Sequence, residues 1–352
     1  MHSLSGGVAW HAMLAAWQGC RRARRACDAG GMTATRPNPL PPARVACLAL
    51  AAGLALAACE AAAPPFAQVS GLLVDGELDE ISGLAASRRH PDVLWLIDDG
   101  GNPARLFAVS KRGRRLATFA VEGVIKTDWE DLAAFDQDGK HYLLIADTGD
   151  NGGLRRSLQL HVFEEPASLA VEAGEKPTTS ASLKPAWSIA FRWPDGARDC
   201  EAVAVDAARG QILLVSKKRQ PPELFALPLR PRSNGLQVAR KLGTLAGVPV
   251  SSAEDRRTQP DRARIRNQVS AADIAPDGRT LAVLTYRDVL LYPRRKNETW
   301  AQALRRAPDV HELPWLPQPE ALGWSADGRG LFATGEFAPA PLLFLNPPGT
   351  GH

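Results

Sequence analysis

Cysteine is scarce in this 352-residue chain and badly placed for bridging. Four of the five cysteines (Cys20, Cys27, Cys47 and Cys59) fall in the first 59 residues, and the body retains only Cys200. A disulfide framework is thereby excluded for the body, and no Cys/His spacing suits zinc. An excess of one charge sign is also missing. There are 42 basic and 38 acidic residues, and residues 1–58 hold six of the arginines against one acid, Asp28. The remainder is close to neutral, so no basic patch argues for nucleic acid. No apolar run reaches the roughly 20 residues of a membrane-spanning helix. Familiar catalytic signatures are absent too: no G-x-S-x-G, no H-E-x-x-H and no phosphate-binding G-x-x-x-x-G-K-[ST]. His90, His141, His161, His311 and His352 fall on turns, strand starts, an outer strand or the tail, so a Ser-His-Asp triad is not expected.

The amino-terminal region reads as an export signal. Arg36 and Arg44 precede the apolar segment VACLALAAGLALAA (45–58), and Cys59 follows it. LAAC (56–59) resembles the lipobox of bacterial lipoproteins, which implies lipidation at Cys59, a tether over 59–65 and a membrane-anchored protein, in the outer membrane facing the periplasm. An uncleaved anchor is the alternative, disfavoured by the short, Ala-rich run closed by Glu60. The arginine cluster upstream of Met32 sits oddly before a second basic region, so Met32 is read as the start and 1–31 as translated upstream sequence.

Beyond the tether the chain repeats itself. Five segments share an acidic or polar start, small apolar residues, a turn and a second apolar strand: EISGLAAS (80–87), EDLAAFDQDG (130–139), EAVAVDAARG (201–210), SAADIAPDG (270–278) and EALGWSADG (320–328). Asp-Gly or Arg-Gly closes four of them, as tight hairpins require. The second strands are VLWLIDDGGN, HYLLIADTGDN, QILLVSKKRQ, TLAVLTYRD and GLFATGEF, and third and fourth strands follow in most repeats. Five such units predict an all-β, five-bladed β-propeller over 66–347 with a tail at 348–352. The last unit lacks a fourth strand, and FAQVSGLLV (66–74) would supply it and close the ring. A sixth blade requires a sheet within 244–269, which reads as a charged loop and a possible lid. A β-sandwich with fortuitous turn spacing is the weaker alternative.

The ordered motifs EISGLAAS, LIDDGG, DWEDLA, DTGDN, WPDGARDCEAVAVD and SKK resemble a family of secreted bacterial propeller proteins, termed WD40-like or uncharacterised, over about residues 75–336. The resemblance supports the fold and implies no particular activity. TGE (334–336) departs from the pattern by placing the acid after the glycine.

In a propeller the start of the first strand and the end of the second lie together at one mouth of the central channel. That expectation gathers Glu80, Glu130, Glu201, Ser270 and Glu320 with Asp98, Asp99, Asp147, Asp150, Asn151, Lys217, Tyr286, Arg287 and Glu336 as ligand-binding candidates. Carboxylates this close call for cations. Glu80, Asp98, Asp147, Asp150 and Glu320 are the expected metal ligands, with Ca2+ as the hard cation that oxygen donors suit. The first-strand glutamates are alternatively structural acceptors of backbone N–H groups, and Asp147 and Asp150 turn-formers. Two functions fit. One is a monomeric module that binds a small ligand or an envelope protein. The other is a metal-dependent hydrolase of phosphoester, lactone or glycosidic bonds, with Glu130 or Glu201 as base and Lys217 and Arg287 stabilising negative charge.

Overall fold

The computed structural model describes residues 65–169, 179–314 and 316–348. The export signal, Cys59, nearly all of the tether and the end of the tail lie outside the described residues. The described chain forms five sheets, each with four antiparallel strands at its centre, arranged as a five-bladed β-propeller. The innermost strands are Ile81–Ala86, Trp129–Gln137, Ala202–Asp206, Val269–Ile274 and Pro319–Trp324. They defined the repeat in the sequence, and here each packs on the next, the fifth returning to the first.

Closure occurs as the incomplete last repeat requires. Ala67–Leu73 pairs antiparallel with Ala340–Leu345, Ala67 opposite Leu345 and Leu73 opposite Ala340. Blade 5 thus takes its outermost strand from the beginning of the described chain, which joins both chain ends in one sheet and covers an edge. The two longer repeats treat edges differently. Thr179–Leu183 adds a parallel fifth strand to blade 1, and Gln237–Val238 does the same for blade 2. LQVARKLG, expected as one fourth strand, is therefore split: Arg240–Thr244 pairs in blade 3. The stretch from 245 to 268 holds helices α1 (Ala253–Thr258) and α2 (Pro260–Ile265) and no strand, which removes the six-bladed alternative.

Each interface between blades is filled by its own apolar cluster. Trp95, Phe119 and Trp129 meet between blades 1 and 2, and Leu84, Phe107 and Phe332 seal blade 5 against blade 1. The inner strands are buried along nearly their whole length, so apolar residues lie on both faces of each sheet and no blade is stable alone. Toward the axis the residues are small. A Cβ on Gly323 would lie 2.7 Å from the Leu84 carbonyl oxygen, a spacing that only glycine permits. Buried carboxylates tie the inner strands together below the mouth. Asp131 accepts from Leu132 N at 2.8 Å, Val203 N at 2.7 Å and Ala272 N at 3.2 Å, and Asp273 accepts from Trp324 N at 2.8 Å. Four of the five blades are joined by these two side chains.

Candidate functional site

One local irregularity builds the site. In blades 1, 2, 4 and 5 the pairing of the first two strands slips by one residue, between Ile81 and Gly83, Trp129 and Asp131, Val269 and Ala271, and Pro319 and Ala321. The skipped residues are Ser82, Glu130, Ser270 and Glu320. A bulge of this kind re-aims its extra side chain. In blade 3 the strand begins one residue later, and Glu201 holds the matching position before Ala202. By register the five equivalents are Ser82, Glu130, Glu201, Ser270 and Glu320. Glu80 instead matches Asp128 and Asp199, two positions earlier.

A second layer comes from the residue after strand two. The N–H groups of Asp99, Lys217 and Glu336 donate to the carbonyls of Glu80, Asp199 and Gln318 at 2.8, 3.1 and 3.0 Å. That bond recurs in three blades and sets where each of these side chains leaves the sheet.

The result is a chain of carboxylates. Oxygens of Asp99, Asp128 and Glu130 lie within 4.8 Å of one another, as do those of Glu130, Asp199 and Glu201. Glu130 belongs to both groups. Lys217 pairs with Glu201 Oε1, and Lys218 Nζ lies 2.8 Å from Asp199 Oδ2. The Lys217 ammonium sits 5.3 Å from the Tyr286 ring centre, and the Tyr286 hydroxyl donates to Glu320 Oε1 at 2.5 Å. Glu201 Oε2 is buried and accepts no hydrogen bond.

The protonation energetics follow from this crowding. Burial, then Glu201, Asp99 and Asp128, push the Glu130 carboxyl well above the usual range. Burial and Glu320 do the same to Glu201, against the pull of Lys217. Burial and Asp99 raise Asp128 to about 7, and burial raises Glu320 to about 7 despite Lys217 and Tyr286. Burial acts to lower Lys217, but Glu201, Glu320 and Tyr286 outweigh it and hold the ammonium charged. Net negative charge is concentrated where water is scarce.

Several expected site residues are placed elsewhere. Asp98 is buried against Lys126 at 2.5 Å and Arg105 at 3.2 Å. Asp147 accepts from Thr127 N, Asp128 N and Arg155 (2.8, 3.2 and 2.6 Å), so it shapes the loop that carries Asp128. Asp150 accepts from Leu154 N and Arg155 N, and Asn151 Oδ1 from Lys218. Ser270 Oγ donates to the Pro319 carbonyl at 2.7 Å. Arg287 is committed to Asp255 and Glu312. Glu80 is exposed, accepting from Asn102 Nδ2 at 2.7 Å, and Glu336, partnered by Gln318, stands nearby. Of the five expected metal ligands, Glu80, Asp98, Asp147, Asp150 and Glu320, none belongs to the two close carboxylate groups. The physical reason for two of them is local pairing: Asp98 is taken up by Lys126 and Arg105, and Asp147 by Arg155 and two backbone N–H groups.

Asp128 and Asp199 were not anticipated. Their signal was present in the D-x-E spacing shared by Asp128-Trp129-Glu130 and Asp199-Cys200-Glu201. Gly149 has a role that DTGDN alone did not show. A Cβ there would overlap Glu130 Oε1 and the Asp128 carboxylate, so the glycine leaves the volume in which those oxygens sit.

No protein-family model matches the chain, and no curated protein matches it. Among solved structures, one from the crystal structure of a nidogen/laminin complex is similar over 73% of this chain and 73% of its own length, at 13% identity and a TM-score of 0.41.

Proposed function

We propose that the protein is an exported, lipid-anchored binding module whose propeller holds a divalent cation, Ca2+, at one mouth of the central channel and uses it to engage a small ligand or envelope partner. The observation that carries this reading is the strip Asp99, Asp128, Glu130, Asp199 and Glu201, five carboxylates drawn from three blades with an orphaned buried oxygen on Glu201. All donors are oxygen, as hard cations require, and calcium takes six to eight of them. Glu130, shared by both groups, would bridge or choose between them. Lys217 pairs with one oxygen of Glu201, whereas Asp99, Asp128 and Glu130 form no ion pair among the described residues, and the nearby charges of Arg155 and Lys217 do not offset the rise of Asp128 and Glu130. The lipid anchor and envelope location rest on LAAC and Cys59.

The test is a thermal melt of the mature chain with calcium and with chelator. Binding at a hundred times the dissociation constant stabilises by about 2.7 kcal/mol. A rise in melting temperature with calcium that Glu130→Gln abolishes supports the reading. No shift, with no metal by elemental analysis, removes it.

Catalysis is favoured by one feature: a buried carboxyl with a raised pKa, as Glu130 has, is what a general acid or base needs. Lys217 would then offset developing negative charge, whereas Arg287, tied to Asp255 and Glu312, would not. Metal-dependent turnover of a phosphoester or lactone that is lost in Glu130→Gln would select this reading over binding alone.

A further inference from the structure

Between the helix pair and blades 4 and 5 lies a cavity of about 560 Å³ that the carboxylate strip does not use. α1 and α2 form one wall. Leu313, Pro314 and residues 316–319 form the other, with prolines at 314, 317 and 319, and Tyr286 also lines the cavity. The helix wall is held in place. Ser252 caps α1 through a reciprocal pair with Asp255, and Asp255 in turn accepts from Arg266 at 3.0 Å and Arg287 at 3.1 Å. Arg266 also reaches Asp288 at 3.5 Å. The volume is that of an ordinary small-molecule pocket, and the ion pairs on its helix wall reduce the order that must be gained on binding.

The lining shows what would fill it. Ile265, Leu313 and Leu316 supply an apolar surface. Three guanidinium groups, Arg262, Arg266 and Arg287, face two carboxylates, Asp255 and Glu312. Arg287 is ion-paired with both of those acids. Arg262 has no ion pair among the described residues, and Arg266 Nε is buried without an acceptor. The pocket therefore offers unused N–H donors beside an apolar wall. We infer that this cavity is a second binding site, for an organic anion: a carboxylate, sulfonate or phosphate on an apolar body, its charged end on Arg262 and Arg266 and its body against Leu313 and Leu316. Planar guanidinium groups favour such oxyanions through charge-assisted hydrogen bonds. This site is independent of the cation.

The experiment titrates the full chain with anilinonaphthalenesulfonate and with phenylnaphthylamine, its uncharged counterpart, by fluorescence. The expected result is one saturable site for the sulfonate, with the neutral probe weaker by about tenfold or more, the worth of a charge-assisted hydrogen bond. Arg262→Ala, an exposed change, should bring the sulfonate down to the neutral probe's affinity, and Ala263→Trp should remove both by filling the cavity. Adding chelator should change neither. Equal affinity for the two probes, multiple sites, or indifference to Arg262→Ala and Ala263→Trp would overturn the inference. So would loss of sulfonate binding on chelation, which would place the probe at the carboxylate strip and leave the cation reading intact.

Discussion

At the scale of single residues, charge and crowding decide the chemistry. Glu201 has one oxygen on Lys217 and one buried with nothing to accept from. An orphaned buried acceptor costs free energy, on the order of 1–3 kcal/mol, unless a cation or proton meets it. Glu201→Gln also takes the charge from the partner of buried Lys217, so it is expected to lower the melting temperature of the metal-free chain and to reduce the calcium-induced melting shift by more than half. Paired melts with calcium and chelator measure both effects. Gly149→Ala acts through volume instead of charge, because its methyl group enters space held by Glu130 and Asp128. We expect a loss of about 1–3 kcal/mol in urea denaturation, together with a diminished calcium shift.

The element scale is governed by edges and caps. Ala340–Leu345 has Leu331–Gly335 on one side and Ala67–Leu73 on the other. Deleting residues 66–73 should leave a long apolar edge open to pairing with other chains. The expected outcome is a broad melt by circular dichroism and rising light scattering, in place of one sharp transition. On the helix pair, Ser252→Ala removes a cap worth about 1 kcal/mol. It should weaken anilinonaphthalenesulfonate binding severalfold and leave the calcium shift unchanged, because α1 walls the cavity and touches none of the clustered carboxylates.

For the whole molecule, the raised carboxylates set an unusual pH dependence. Most native carboxylates are depressed and lose stability in acid, whereas Asp128 and Glu320 are raised to about 7 from ordinary values of 3.8 and 4.5. Between pH 5 and 7 the unfolded chain ionises these groups while the folded chain keeps their protons, so unfolding gains as pH rises. Metal-free protein should melt several degrees lower at pH 8 than at pH 5, and calcium should cancel the difference by binding the ionised form. Calcium should bind more weakly at pH 5, where protons compete. Surface pairs such as Glu298 with Arg306, whose carboxyl is lowered to about 2, oppose the trend only at more acidic pH. A series of melts from pH 5 to 8, with and without chelator, checks the sign.

Strand periodicity, hairpin turns and the missing last strand were readable from residue order, because alternation and turn chemistry are local properties. They led to five blades closed by 66–74. Glu130, Glu201, Lys217 and Glu320 were also legible as channel-facing groups, since each opens an inner strand or follows a second one. What residue order did not reveal was direction. The bulge at the head of the inner strands puts Ser82, not Glu80, in register with Glu130. Asp98 and Asp147 are instead taken up by Arg105, Lys126 and Arg155. Asp128 and Asp199 join the site only because loops from different blades converge. The cavity beside α1 exists only because a charged insertion folds back on the rim. Repetition along the chain determines the architecture, since each blade needs the same buried faces. Which carboxylates meet depends on a one-residue slip in the pairing of a blade's first two strands and on the approach of neighbouring blades, which residue order alone does not state.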